Sequence, residues 1–252
     1  MTFIDPEIEL LAVNRDKFSA LGVEVLVPYA ETAKLCFNKY LMFRHLAAHD
    51  IPTVMTWGTL EEFGIAYQAE EVHFPVFVKP RTGSGSVGAR KVYSYESLAE
   101  AMKEDPELII QEYMDCLDLD ADVYIDTVTH EAVAAFSKRK IETRIGGASK
   151  TVSFKDEELF AFITRIVKTL DLNGPVDMDF FYKDGKYYLS EINPRFGGAY
   201  LHAYGAGVDF IKLIEKNLKG EANSPQFGNY EEGVVMMMYD SVVIKKAGEL
   251  AE

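Results

Sequence analysis

The stretch of sequence that decides the fold covers residues 174–198 and reads GPVDMDFFYKDGKYYLSEINPRFGG. Two runs rich in strand-forming residues flank Asp184-Gly185, a dipeptide typical of the tight turn in a β-hairpin. Alternate residues of a strand lie on the same face, so Glu191 and Asn193 share one face of the second strand. The sequence therefore predicts a hairpin whose strands both carry oxygen-bearing side chains, with Asp179 on the first strand.

The length of the connecting loop decides whether the two sets of side chains meet. A two-residue turn at Asp184-Gly185 would set Asp179 opposite Ser190 and send Glu191 to the other face. A three-residue loop, Lys183–Gly185, would bring four side chains to one face: Asp177, Asp179, Glu191 and Asn193. Oxygen ligands of this kind suit Mg²⁺ or Mn²⁺ held together with substrate phosphates. A plain solvent-exposed face is the alternative interpretation of the same acids.

A second motif lies upstream, where residues 76–88 read VFVKPRTGSGSVG. The glycines follow a strand, but a dinucleotide-binding fold needs a helix to begin there, and Ala89–Tyr93 is short and strand-forming. The segment also lacks the Gly-Lys-Ser/Thr of a P-loop. Strand, glycine loop and strand are typical of a flap that covers phosphates, and Lys79 adds a positive charge beside it. A flexible hairpin tip would show the same glycine pattern.

The composition excludes several classes of protein. The chain has 252 residues, of which 48% are apolar, and a net charge of −14, which repels a nucleic-acid backbone. Its first residues do not resemble a secretory signal, and no apolar run approaches the roughly 20 residues of a membrane helix. Cys36 and Cys116 lack the spacing of a zinc or redox site. We expect a globular, cytoplasmic protein with reduced cysteines and without nucleic-acid or membrane partners.

Strand and helix patterns alternate along the chain. Apolar spacing predicts helices over Glu31–Ala48, Lys155–Leu170 and Val208–Leu218. Gly22–Val27 and Val234–Val243 have the composition of strands. Together with the hairpins, this order predicts an α+β fold rather than a uniform series of βαβ units.

Three ordered motifs resemble the ATP-grasp superfamily, and within it the carbamoyl-phosphate synthase large-subunit-like branch. They are the Asp179-x₁₁-Glu191-x-Asn193-x-Arg195 spacing, the strand Pro75–Lys79 before the glycine loop, and Gln111–Met114, which resembles the hinge of the family. The similarity extends from about Ile4 to Val243. It implies an ATP-grasp fold, ATP with Mg²⁺ (or Mn²⁺), and small-molecule carboxylate and amine substrates.

The resemblance also implies roles for individual residues. Several residues would contact the phosphates, adenine or ribose of ATP, or cover the phosphates as part of the flap. They are Lys39, Lys79, Gly83, Ser84, Gly85, Ser86, Gly88, Glu112, Tyr113, Met114 and Asp118. Those that would hold the metal ions are Asp179, Glu191 and Asn193. Arg195 would meet the acyl phosphate, and Arg144 belongs to a substrate- and phosphate-facing segment that begins at Lys138-Arg139-Lys140. A solvated basic turn is the alternative interpretation of that basic run.

The same resemblance divides the chain into domains. Residues 1–30 resemble the C-terminal remnant of a Rossmann-like pre-ATP-grasp domain, and residues 31–252 resemble an ATP-grasp domain with a flap subdomain at about 72–112 and a metal-binding subdomain at about 113–252. We expect a ligase that activates a carboxylate as an acyl phosphate for attack by an amine. A non-catalytic ATP-binding regulatory or assembly subunit is the alternative. For partners, we expect either a homo-oligomer or a second protein that completes the N-terminal domain.

Overall fold

The fold was analysed in a computed structural model that describes residues 1–83, 85, 87–144, 147–244 and 246. The helices, in chain order, are α1 Asp5–Val13, α2 Arg15–Ser19, α3 Ala30–Phe37, α4 Lys39–Ala48, α5 Leu60–Gln68, α6 Tyr95–Glu104, α7 Glu157–Val167, α8 Tyr200–Gly205 and α9 Phe210–Leu218. The strands are β1 Thr56–Trp57, β2 Val76–Pro80, β3 Arg90–Val92, β4 Leu108–Glu112, β5 Leu117–Ile125, β6 Ala132–Arg144, β7 Gly147–Phe154, β8 Gly174–Lys183, β9 Lys186–Asn193 and β10 Val235–Met237. No helix among the described residues is long and apolar enough to cross a membrane.

The strands form two antiparallel sheets, which confirms the predicted α+β class. A four-stranded sheet has the order β1-β4-β2-β3 and packs against α5 and α6 around its own apolar cluster. Because β1 and α5 belong to it, this unit begins before residue 72. A six-stranded sheet has the order β10-β7-β6-β5-β8-β9. One of its faces is apolar and packs against α7 and α9, whose buried residues share its core.

The predicted strand Gly22–Val27 is wrong, since residues 1–30 contain helices and no strand. Val25 and Val27 are buried against α1 and α3, and their carbonyl oxygens accept hydrogen bonds from the Arg15 guanidinium instead of from a neighbouring strand. A segment without a partner strand cannot form a ladder, whatever its composition. The Rossmann-like remnant predicted for residues 1–30 is therefore not confirmed.

The predicted helix Glu31–Ala48 is two helices, because the chain breaks at Asn38. Asn38 has extended backbone angles, and its side-chain oxygen accepts hydrogen bonds from the backbone of Tyr40 and Leu41. This is the geometry of an N-cap, which satisfies amide groups that a new helix leaves unpaired. Lys39 thereby becomes the first residue of α4, and its backbone N–H donates to the carbonyl of Arg81 at 2.9 Å.

The hairpin β8–β9 combines a two-residue turn with a bulge. Asp184 and Gly185 both have positive φ angles, as a type I′ turn requires, and Lys183 pairs with Lys186 across it. The register then shifts between Asp179 and Phe180, so that Ser190 becomes an extra residue and Asp179 lies opposite Glu191. Asp177, Asp179, Glu191 and Asn193 therefore share one face, as a three-residue loop would have arranged, but the bulge at Ser190 is the cause.

Candidate functional site

A cleft of about 1240 Å³ lies where the two sheets meet. The four-stranded sheet and its glycine loop contribute one wall, which includes Phe77, Lys79 and Gly83. The polar face of the six-stranded sheet contributes the other wall through carboxylate and amide side chains, among them Asp118, Asp120, Asp177, Asp179, Glu191 and Asn193. The N-terminal segment closes one side with Phe3 and Asp5.

The three predicted metal ligands lie together on this polar face. Asp179 and Glu191 are directly opposed on β8 and β9, and Asn193 follows two residues later on the same side. Lysines lie against both carboxylates: Lys140 Nζ is 2.5 Å from Asp179 Oδ1, and Lys39 Nζ is 3.2 Å from Glu191 Oε1. Burial raises the pKa of Asp179 to about 6, despite the opposing charge of Lys140. The donor set is made of oxygen atoms that face the cleft, which fits Mg²⁺.

The predicted phosphate contacts also converge. Lys39 reaches from α4 to the glycine loop, where its Nζ donates to the carbonyl oxygen of Gly83 at 2.6 Å. Lys79 lines the cleft from β2, and burial lowers the pKa of its ammonium group. Gly83, Gly85 and Gly88 have positive φ angles, and the first two line the cleft. The predicted contacts Ser84 and Ser86 lie outside the described residues.

The predicted adenine and ribose contacts are more dispersed. Glu112 pairs with Lys183 at 2.9 Å, the ring of Tyr113 lies beneath the ammonium of Lys91, and Met114 is buried. None of the three predicted hinge residues, Glu112, Tyr113 and Met114, is among the described residues that line the cleft. Asp118 does line it and lies 2.9 Å from Lys140 Nζ. The nucleoside roles of these four residues stay predictions.

Both predicted arginines line the cleft, and each pairs with an acid. β9 ends at Asn193, so Arg195 lies two residues beyond the end of the strand. Its guanidinium instead makes two hydrogen bonds to the carboxylate of Asp5 and lies 3.5 Å from Asp177 Oδ2. Arg144 is half exposed and pairs with Asp240 at 2.9 Å.

A group of buried charges lies beside this site, and two of its members, Asp120 and Asp122, were not predicted from the sequence. Asp120 and Asp122 on β5 face Asp179 and Asp177 on β8, and Lys138 on β6 is completely buried among them. Burial lowers the pKa of Lys138 by itself, but the charges of Asp120 and Asp122 raise it overall. Burial also raises the pKa of Asp122 to about 6 and that of Asp177 well above its usual value. The signal was the strict alternation of Leu117-Asp-Leu-Asp-Ala-Asp122, which places three acids on one strand face.

Comparisons with known proteins identify the family. The profile of the ATP-grasp domain matches residues 36–199, which is more than half of the chain. D-alanine--D-alanine ligase B of Clostridium perfringens is 35% identical over 223 residues, which cover 78% of this chain and 73% of the relative. The D-alanine--D-alanine ligase of Ruminiclostridium cellulolyticum is 27% identical over 57% of this chain and 45% of its own length. The chain therefore belongs to the ATP-grasp family.

A solved structure agrees at the level of the fold. The biotin carboxylase domain of Hydrogenobacter thermophilus 2-oxoglutarate carboxylase, in complex with MgADP, ADP and bicarbonate, superimposes with a TM-score of 0.74. The match covers 93% of this chain and 56% of that one at 17% identity. ATP-grasp proteins use ATP with Mg²⁺, so the predicted nucleotide and ion follow from family membership.

Proposed function

We propose that this chain is an ATP-dependent carboxylate–amine ligase that activates a carboxylate as an acyl phosphate. One observation carries the proposal: a single cleft has Lys79 on the flap wall and Asp179 and Glu191 on the opposite wall. Phosphoryl transfer in such a site depends mainly on positioning and on neutralising the charge of the phosphates.

The residues of the cleft suit separate parts of that reaction. Lys39 and Lys79 would neutralise phosphate oxygens, while Asp179, Glu191 and Asn193 would hold Mg²⁺, which when bound screens the negative charge of the nucleotide. The fork of Arg195 would hold the substrate carboxylate or the transferred phosphate. Its guanidinium donates hydrogen bonds to both carboxylate oxygens of Asp5, which supports this role because a substrate carboxylate offers the same pair of acceptors.

The proposed chemistry consists of two displacements. A carboxylate oxygen forms a bond to the γ-phosphorus of ATP, and ADP leaves with the electron pair of the broken P–O bond. The amine nitrogen then bonds to the acyl carbon, phosphate leaves with its electron pair, and the nitrogen loses a proton. Both steps need the reacting groups held close together and shielded from water.

The names of the relatives suggest the first substrates to test. The two relatives compared above are D-alanine--D-alanine ligases, so an amino acid is a reasonable candidate both as the carboxylate and as the amine. The chain spans about three-quarters of one relative and less than half of the other. A carbamoyl-phosphate synthase-like subtype stays a prediction from the resemblance of the three motifs.

Hydroxylamine trapping tests the proposal. Protein with Mg-ATP and hydroxylamine is incubated with a panel of carboxylic acids that begins with D-alanine and L-alanine, and hydroxamate is measured. We expect hydroxamate and ADP in equal amounts with at least one acid, since hydroxylamine attacks an acyl phosphate as an amine would. Glu191→Gln keeps the size of the side chain but removes a charged metal ligand, so it should abolish product formation. ATP binding without turnover across the panel would favour a regulatory or assembly subunit.

A further inference from the structure

A carboxylate of the protein itself fills the fork of Arg195. Nε and Nη2 of its guanidinium donate to the two carboxylate oxygens of Asp5, the second at 3.2 Å. Nη1 donates to the carbonyl oxygen of Phe196 at 2.9 Å and lies 3.5 Å from Asp177 Oδ2. A guanidinium has two edges that can hold an oxyanion through two parallel N–H groups. Asp5 occupies one edge, and Phe196 and Asp177 lie against the other.

The pair of Asp5 and Arg195 bridges two parts of the fold and is accessible from the cleft. Asp5 begins α1, whose buried residues belong to a small apolar cluster that is separate from the core of the six-stranded sheet. Arg195 follows β9 of that sheet. The side chain of Arg195 is 15% exposed and that of Asp5 is 14% exposed, and both residues line the cleft. An anion that enters the cleft can therefore reach this pair.

The carboxylate of Asp5 also has space beside it. A pocket of about 160 Å³ adjoins the cleft at Asp5 and is lined by residues of α1, α3 and the end of β9. Asp5 lines both the pocket and the cleft, so there is room on either side of its side chain. A side chain changes rotamer by turning about its own bonds. Release of the carboxylate from Arg195 therefore does not require that α1 moves.

We propose that Asp5 competes with the substrate for Arg195 and thereby selects which anions bind there. The role of Arg195 rests on the proposed ligase function, in which its fork takes the substrate carboxylate or the transferred phosphate. Either oxyanion needs the two N–H groups that Asp5 occupies, so Asp5 must leave before it binds. The apparent affinity for an anion is then lowered by the fraction of molecules in which the fork is occupied. An anion that other parts of the cleft also hold offsets this loss, whereas a free anion does not.

This competition makes Asp5 a specificity-determining residue that acts through Arg195, without touching the reacting atoms. The opposite role is that Asp5 holds the guanidinium in place for the substrate. The two roles predict changes of opposite sign when the charge of Asp5 is removed. Competition predicts tighter binding of a free anion, and support of the guanidinium predicts weaker binding.

Anion binding tests the proposal directly. Inorganic phosphate and acetate represent the two candidate groups, and each is titrated at constant ionic strength into protein saturated with Mg-ADP, with binding followed by NMR. Asp5→Asn should bind at least one of them about tenfold more tightly than the wild type does, because the amide has no charge with which to compete for the fork. Glu9→Gln removes a charge one turn further along α1, beside the same pocket, and should leave both affinities unchanged. Unchanged or weaker binding of both anions in folded Asp5→Asn would overturn the proposal.

A double variant then locates the effect at Arg195. In Asp5→Asn combined with Arg195→Lys the gain in affinity should be lost, since lysine keeps the charge but not the fork. A gain that persists without the fork contradicts the assignment. Asp5→Ser replaces Asp5→Asn if circular dichroism shows that the latter does not fold. Hydroxamate formation without an Arg195-dependent gain would overturn the role of Asp5 alone, whereas such a gain without hydroxamate from any acid would overturn the ligase alone.

Discussion

At the scale of single residues, Gly197 shows how closely the backbone approaches the buried acids. A Cβ atom at this position would lie 2.7 Å from Oδ1 of both Asp122 and Asp177. Real Cβ atoms do not approach oxygen atoms so closely, and both carboxylates are held by the strands that carry them. The glycine pair after Arg195 thus has one member that the site requires and one, Gly198, that has open space around it.

We predict that Gly197→Ala lowers the free energy of unfolding by about 1–3 kcal/mol, the usual cost of forcing an extra methyl group into a packed site. Gly198→Ala is the matched control, because an added Cβ there meets nothing within 4 Å. Urea denaturation of both variants measures the difference. Equal stability of the two variants would mean that the carboxylates move aside at little cost.

Lys79 is the residue for which burial and charge make the clearest binding prediction. Burial lowers the pKa of its ammonium group, and a bound phosphate would restore the balance by pairing with it. We predict that Lys79→Ala weakens Mg-ATP binding by about 1.5–3 kcal/mol, the value of a charge-assisted hydrogen bond. Calorimetry measures it, with the exposed Lys186→Ala as the control for loss of a lysine. Wild-type affinity in Lys79→Ala would remove this lysine from the site.

At the scale of secondary structure, the sequence predicted which elements exist better than where they end. Alternating and helical patterns located the strand β2, the helices α7 and α9 and the hairpin around Asp184-Gly185. The break at Asn38 was missed because the apolar spacing continues across it, and an N-cap depends on one side-chain hydrogen bond. The bulge at Ser190 was missed because pairing register is a property of two strands together.

For the candidate site, the sequence predicted several of the residues that line the cleft but not the partners that they contact. The predicted metal ligands and the predicted lysines Lys39 and Lys79 line the cleft. Strand alternation fixes the shared face of Glu191 and Asn193, whereas the resemblance to the family supplied the lysines. The partner of Arg195 could not be predicted, since Asp5 is 190 residues away in the chain. The burial of Asp120 and Asp122 was not predicted for a similar reason: alternation places them on one face, but burial depends on what packs over that face.

The Asn38 cap leads to a prediction that links an element to the site. Asn38→Ala should lower the free energy of unfolding by about 1 kcal/mol, because two amide groups at the start of α4 lose their acceptor. It should also weaken Mg-ATP binding, since the cap fixes Lys39, whose side chain reaches Gly83. Asn38→Ser keeps a capping oxygen and should behave like the wild type in urea denaturation and calorimetry. An unchanged affinity in Asn38→Ala would show that Lys39 is positioned by other contacts.

At the scale of the whole molecule, charge is distributed unevenly. The net charge of −14 opposes the approach of a nucleotide. Lys39, Lys79 and Lys140 line the cleft and offset part of this charge locally, although acids outnumber bases among the residues that line it. The flap wall contributes Lys79, and on the sheet wall Lys140 lies against Asp179, so lysines face the cleft from both sides.

Buried carboxylates also govern how the whole molecule responds to acid, and Asp126 gives the sharpest case. Its side chain is fully buried and accepts hydrogen bonds from Asn217 and Asn223, which tie the turn after β5 to α9 and the chain beyond it. Burial by itself raises the pKa of Asp126, but the hydrogen bonds from Asn217 and Asn223 lower it to about 2. A group with a lowered pKa stabilises the fold above its unfolded pKa of about 3.9, and this contribution is lost as the pH falls through its folded pKa.

We therefore predict that the stability gap between wild type and Asp126→Asn is widest at neutral pH and narrows as the pH falls from about 4 towards 2. A pKa lowered from 3.8 to about 2 corresponds to about 2.4 kcal/mol, which sets the size of the change. Asn keeps the shape of the side chain but turns one acceptor into a donor that faces two other amides. The variant should therefore have a lower free energy of unfolding than the wild type at neutral pH, and it should not lose the stability that the Asp126 anion contributes as the pH falls. Urea denaturation of both proteins at several pH values measures the gap, and because all other carboxylates are common to both, their titration cancels in the difference. A gap that stays constant over this range would mean that Asp126 does not stabilise the fold as an anion.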